Sequence, residues 1–167
     1  MLDLPAGRWE GLEGMGMAAL AELRPQAERA VRRAGLFFHA ELRKTLTGAR
    51  SGRTYLIGKN FSIQHIASAP GEAPAVMFGR LRNSIDFVGP TWEGWTVSMD
   101  VGTNIVYARR LEYGGIHVQR ETVSVRGATG WFTVKAGTII RTLPRPWMEP
   151  TVIRVRARIE EILERDA

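Results

Sequence analysis

Ser68-Ala-Pro-Gly-Glu-Ala-Pro-Ala-Val-Met-Phe-Gly-Arg-Leu-Arg-Asn-Ser-Ile85 is the pivot of this chain. Its first half cannot be helical. Pro70 and Pro74 lack amide donors and push Ala69 and Ala73 to extended angles, and Gly71 loosens the turn between them. After Gly79 the pattern changes: Leu81 and Ile85 stand four apart on one face of a short amphipathic turn, and Arg80 and Arg82 project away from it. The stretch reads as an extended docking arm leading into a basic, leucine-anchored knuckle.

Upstream of it the helix signal is strong. Pro25 suits a first turn and Gly48 a C-terminal stop, so a helix is predicted from Pro25 to Leu46. Ala27, Val31, Ala34, Phe38, Leu42 and Leu46 form its apolar stripe. Arg29, Arg32, Arg33, Arg43 and Lys44 gather on the opposite side with Leu36, as a basic face toward solvent, DNA or an acidic partner. Residues 1–24 read as an N-terminal arm, with a short helix from about Met15 to Leu23 weakened by its glycines. Between the long helix and the pivot, Tyr55-Leu-Ile57 and Phe61-Ser-Ile63 flank Gly58-Lys-Asn60 as a small hairpin within an extended loop at about 48–76.

Downstream, strand character dominates. Ile85–Val88 and Trp95–Val101 alternate with a period of two and connect through Gly89-Pro90 and Gly94. Asn104 is a candidate N-cap for a short helix through Tyr113, ended by Gly114-Gly115. His117–Val125 and Trp131–Lys135 surround Gly127-Ala-Thr-Gly130 as a second hairpin. Pro146 or Pro150 opens a last helix to about Arg165, with Val152, Val155, Ile159, Ile162 and Leu163 as its stripe. The fold class is α+β: a long N-terminal helix, an antiparallel β-sheet with hairpins, a short middle helix and a C-terminal helix. Residues 25–167 are expected to form one domain.

Three blocks in order resemble a known family. Ser68–Ala75 followed by Gly79–Ile85, then Val101-Gly-Thr-Asn-Ile-Val-Tyr-Ala-Arg-Arg-Leu-Glu-Tyr-Gly114, then Pro144-Arg-Pro-Trp-Met-Glu-Pro150, are similar to the signatures of small tailed-phage neck proteins. These are the head–tail joining or tail-completion proteins, the minor tail protein Z-like and virion-morphogenesis group. Met77-Phe78 departs from the Asp-Thr often found there, and Gly115–Leu143 is longer than in the shortest members. The resemblance implies a structural virion protein at the neck, assembled in the host cytoplasm, that closes with itself into a ring, a hexamer, around the DNA channel. It implies a head-side connector or head-closure protein and a tail terminator or tail-tube protein as partners, with non-specific contact to passing DNA.

The residues themselves add constraints. The chain has 167 residues, of which 44% are hydrophobic and 24% charged, values typical of globular domains. No run approaches the roughly 20 apolar residues of a membrane helix, and no basic segment precedes an apolar core as in a signal peptide, so no membrane partner is expected. Cysteine is absent, which excludes disulfides and thiolate metal sites. His39, His65 and His117 lack metal-ligand spacing, and neither a GxSxG elbow nor a phosphate-cradling P-loop is present. Carboxylates such as Glu72, Asp86, Asp100 and Glu112 read as surface pairs and turn contacts. No enzyme activity, cofactor or metal is therefore expected.

The net charge of +6 comes mainly from arginine, whose planar fork serves protein contacts as well as phosphate. A basic nucleic-acid-binding protein is the alternative reading. Arg80, Arg82, Tyr107, Arg109, Arg110, Glu112 and Tyr113 are the candidate subunit or partner contacts, being residue types and mixed charges suited to interfaces. Trp95 and Trp147 read as core anchors.

Overall fold

The computed structural model describes residues 10–57, 62–127 and 130–166. The first element, α1, runs over Glu10–Thr47 with Pro25 inside it. The expected break at Pro25 is thus absent, and the helix continues through much of the expected arm. Proline removes one backbone hydrogen bond, but Ala18-Ala-Leu-Ala-Glu-Leu23 is rich in strong helix formers that carry the helix past it. Thirty-eight residues make α1 about 57 Å long.

Strands β1 (Thr54–Ile57) and β2 (Ile63–Ile66) form an antiparallel hairpin. Its second strand lies later than expected, and the expected tip at Gly58-Lys-Asn60, with Phe61, lies outside the described residues. Next come α2 (Arg80–Asn83), β3 (Ile85–Glu93) and β4 (Thr96–Thr103). The last two pair antiparallel through a tight turn at Gly94-Trp95, where Gly94 has φ 60°, a value that glycine adopts without steric cost. The Gly89-Pro90 peptide is cis, and the register shifts between Val88 and Thr91. Gly89-Pro90 therefore sits within one strand rather than between two.

The short helix α3 covers Ala108–Tyr113. It starts later than predicted: Tyr107, not Asn104, precedes its first turn, while Thr103 Oγ1 accepts the Ile105 amide at 3.2 Å. Then β5 (Gly115–Val118), β6 (Val123–Gly127), β7 (Gly130–Val134) and β8 (Ile139–Thr142) fold as one long arm. Two ladders, β5–β8 and β6–β7, are joined by Gln119, which donates its amide to Thr138 O and accepts that of Gly137. The single strand expected over His117–Val125 is thus two strands with a break at Gln119–Thr122. Finally α4 spans Met148–Asp166. The described strands pair as four two-stranded sheets, not one continuous sheet.

The core forms where α1 meets the pivot and the start of α4. Leu42, Leu46, Leu81, Ile85, Ala108 and Trp147 are buried together, with Phe38, Ala73, Val76, Val101, Ile105, Leu111 and Met148 packed against them. Helix α4 lies along α1, burying Thr151, Val155 and Ile162. Thr45 and Thr151 hydroxyls bond at 2.8 Å, and Arg154 pairs with Glu41 at 3.2 Å. Val152, placed in the stripe by sequence, faces outward, because Thr151 satisfies its hydroxyl on Trp147 O at 2.7 Å and takes the inner position.

The β3–β4 hairpin covers another side of α1. His39 Nε2 donates to Ile85 O at 3.0 Å, Trp92 Nε1 donates to Glu28 at 2.7 Å, and Arg24 stacks over the Trp92 ring. A Cβ at Gly35 would run into the Met99 side chain, so glycine admits the close approach of β4.

The Ser68–Val76 segment, read as an extended docking arm, packs on its own chain. Pro74 is buried, Gly71 donates its amide to Pro144 O, and Ser68 O lies 3.5 Å from an Arg145 nitrogen. Short apolar residues flanking the prolines let an extended backbone lie flat on the core. The region around it is clamped by two charges. Arg50 donates to the carbonyls of Thr45, Leu46, Gly48 and Ala49, closing the end of α1, and to Pro74 O. Glu72 accepts from Ser51 N–H, Ser51 O–H and Ala69 N–H.

Those bonds to Glu72 have a pH consequence. The Ser51 hydroxyl first, then the two amides, hold its carboxyl below the usual carboxylate range. A carboxyl whose folded pKa is depressed stabilises the fold at neutral pH, and that contribution is lost as pH falls through the folded value. Acidification is therefore expected to release the Ser51 and Ala69 amides before the core opens. The amide chemical shifts of these two residues, followed by NMR from neutral to acid pH, check this. Glu72→Gln should abolish the step; an unchanged step would assign it to another group.

Candidate functional site

A cleft opens beside the knuckle. Gly79, with φ 74°, turns the chain into α2, and Leu81 and Ile85 anchor that turn in the core as their spacing predicted. The Ser84 hydroxyl bonds Leu81 O at 2.8 Å and Thr103 Oγ1 at 2.6 Å, fixing the knuckle to the end of β4. Opposite it, Tyr107 and Leu111, four apart on α3 and the residue before it, form the second wall. Between the walls lies a cavity of about 150 Å³, floored by Leu46 and Leu81. Met77, Phe78, Arg80 and Arg82 line its rim. Phe78 is 77% exposed and neighbouring Val106 also stands in solvent. The arrangement offers an apolar socket for one side chain beside two guanidinium groups that can bind carboxylate or carbonyl oxygens.

The seven residues expected at a contact surface separate into three groups. Arg80, Arg82 and Tyr107 come together at the cleft. Arg109 and Tyr113 are exposed and four apart, on another face of α3, and Arg110 is half-buried with its stem near Gly115. Glu112 is a correction: it is 7% exposed, and its carboxylate accepts the amides of Trp147, Met148 and Glu149 at 2.8, 3.0 and 2.9 Å. It caps α4 from outside, because the free amides of a helix start attract a carboxylate and the α3 turn delivers this one. The surface pairing expected for Glu112 is thereby excluded.

The basic face on α1 is where periodicity put it: Arg29, Arg32, Arg33, Arg43 and Lys44 are all exposed, and Lys44 pairs with Glu41 at 3.4 Å. Trp147 is buried at 1% exposure, as a core anchor. Trp95 is not one; it stands 76% exposed in the β3–β4 turn, where a two-residue connection leaves no layer to cover it.

Sequence reasoning found the hairpin of the β5–β8 arm but not how much of the arm stands exposed. Ile116, Val118, Val125, Trp131, Phe132 and Ile139 are exposed along it. The alternation of β6 was a legible signal of a half-buried strand, and among the described residues no helix or other strand pair packs extensively against the β6–β7 ladder. Among the described residues no three His, Asp or Glu side chains gather as a metal site, and no helix is long and apolar enough to cross a membrane. Comparison with family models, curated proteins and solved structures returns no match to this chain.

Proposed function

We propose that this chain is a structural virion protein of a tailed phage, a neck subunit that closes with itself into a ring and joins the head to the tail. One observation carries the self-assembly part. The described residues leave large apolar side chains uncovered, among them Phe78 at 77%, Val106 at 90% and Trp131 at 72% exposure. Apolar surface of this kind marks contact with another protein. The three ordered motif blocks supply the location at the neck and the hexameric count. Ring contacts in such an assembly are head-to-tail, one patch of a subunit meeting a different patch of the next.

Deleting the gene from the phage genome that carries it tests the reading. The expected phenotype is filled heads and separate tails in the same lysate; normal infectious particles would refute a neck role. Charge reversal at the cleft is the finer prediction. Arg80→Glu with Arg82→Glu should leave the subunit folded, since Arg80 is exposed, Arg82 is half-buried, and both lie outside the core cluster, where substitutions change stability little. It should yield the same unjoined heads and tails, because like charges then meet across a contact built for cations.

The exposed basic face on α1 favours a second reading, a nucleic-acid-binding protein. A salt titration against duplex DNA separates the two. A dedicated binder loses affinity with a log–log slope of about −0.9 per phosphate contacted, whereas a free ring subunit binds DNA weakly at every salt concentration.

A further inference from the structure

We propose that the Phe78–Tyr107 cleft takes an acidic peptide segment of a partner protein, one apolar side chain of the segment filling the socket and a neighbouring carboxylate binding Arg80 and Arg82. The inference rests on the neck reading, which requires partner contacts, and names the chemistry of one of them.

Charge sets the first half of the ligand. None of the side chains lining the cleft is acidic. Arg80 is exposed and Arg82 half-buried, and neither pairs with a carboxylate among the described residues. Elsewhere the chain answers its own guanidinium groups: Arg154, Arg156 and Arg158 each meet a glutamate. Arg82 is also held in position, since its Nε donates to Asn83 Oδ1 at 3.2 Å and leaves the two terminal nitrogens for a ligand. A guanidinium already oriented loses less freedom when it binds a carboxylate.

The socket sets the other half. Its volume, about 150 Å³, is of the size that admits a benzene ring, and its floor is Leu46 and Leu81. One Leu, Met or Phe side chain fills such a space, whereas a phosphate would find no polar partner on that floor. The wall between floor and rim adds a third element. Among the described residues, Val76, Met77 and Phe78 take part in no backbone–backbone hydrogen bond, so the wall offers donors and acceptors that a peptide backbone can meet. Apolar socket, paired cations and open backbone together match a peptide better than a nucleic acid.

A displayed random-peptide library, selected on the purified full chain, tests this. Enriched peptides should combine one Leu, Met or Phe with an adjacent Asp or Glu. Selection on the Arg80→Glu/Arg82→Glu protein should replace those acids by Lys or Arg, an exchange that a misfolded variant cannot produce. A synthetic copy of the most enriched peptide should bind the double variant about tenfold more weakly in fluorescence polarisation, as two attractive charge pairs become repulsive. Tyr107→Ala removes one wall outside the core cluster and should weaken binding by a similar factor. The proposal is overturned if no peptide is enriched, if the enriched peptides carry no acid, or if they bind the parent and both variants alike. It also falls if duplex DNA displaces them, which would assign the arginines to phosphate. An oligomer of the chain that Arg80→Glu/Arg82→Glu dissolves would overturn it too, by assigning the cleft to a second copy. Any of these failures leaves the neck reading standing; that reading falls separately, if gene deletion leaves infectious particles.

Discussion

Trp147→Ala is expected to destabilise the subunit by about 3–5 kcal/mol, the range for truncating a fully buried tryptophan. Trp147 is the largest of the fully buried side chains among the described residues and clusters with buried residues from several elements. Leu42 and Leu46 come from α1, Leu81 and Ile85 from the knuckle and β3, and Ala108 from α3. Its indole N–H has no partner among the described residues, so shape rather than hydrogen bonding holds it in place. Removing the ring opens a cavity that the rigid elements around it cannot close, and the cavity adds to the lost burial. For a chain of this length each kcal/mol lowers Tm by about 2–4 °C, so a fall of roughly 10–15 °C is expected. Trp147→Phe refills most of the space and removes an unpaired donor, and should cost clearly less. Urea unfolding of both variants checks this. Equal costs for the two would mean that the pocket collapses freely and that the core is not organised around this side chain.

The long elements were legible because their periodicity is long. The α1 stripe at Ala34, Leu42 and Leu46, and the anchor pair Leu81 and Ile85, were readable from spacing, since residues three or four apart must share a helix face. So was the basic face. Boundaries failed where one local signal outweighed a regional one. Pro25 pointed to a helix start, but the formers before it carry the helix on to Glu10. The β5–β8 arm was half legible: Gly127 and Gly130 marked the hairpin, but Ile139–Thr142 has no turn signal tying it to Gly115–Val118. That pairing is set at a distance, by the arm folding back on itself. The cleft was the least legible feature. Leu46, Phe78 and Tyr107 are far apart in the sequence, and only the tertiary fold brings them together. Glu112 shows the same limit. Its neighbours Arg109, Arg110 and Tyr113 suggested a surface helix, and no local pattern discloses that a carboxylate will cap a helix beginning 36 residues later.

Glu112→Ala is expected to cost about 3–4 kcal/mol, a large effect for one side chain outside the apolar cluster. The first amides of a helix have no partner within it, and near the core they cannot turn to water. Here three of them, from Trp147, Met148 and Glu149, converge on one buried carboxylate. Bonds to a charged acceptor are worth more than neutral ones, and the helix dipole adds to them. Alanine leaves three donors unpaired, each carrying a desolvation cost of about 1–3 kcal/mol that local fraying relieves in part. Glu112→Gln keeps the length and one acceptor oxygen but turns an NH₂ group toward N–H donors, so it should cost about half as much. The damage should also be directional. Arg145 N–H bonds Leu111 O at 2.7 Å beside the cap, so freeing Glu112 loosens α3 against the start of α4. Tyr107 and Leu111 wall the cleft from that side, and hydrogen exchange in Ala108–Tyr113 should rise before exchange in the middle of α1. Urea unfolding gives the cost and exchange mass spectrometry gives its location. A cost under about 1 kcal/mol with unchanged exchange in α3 would show that the amides find other partners and that the cap is not what ties α3 to α4.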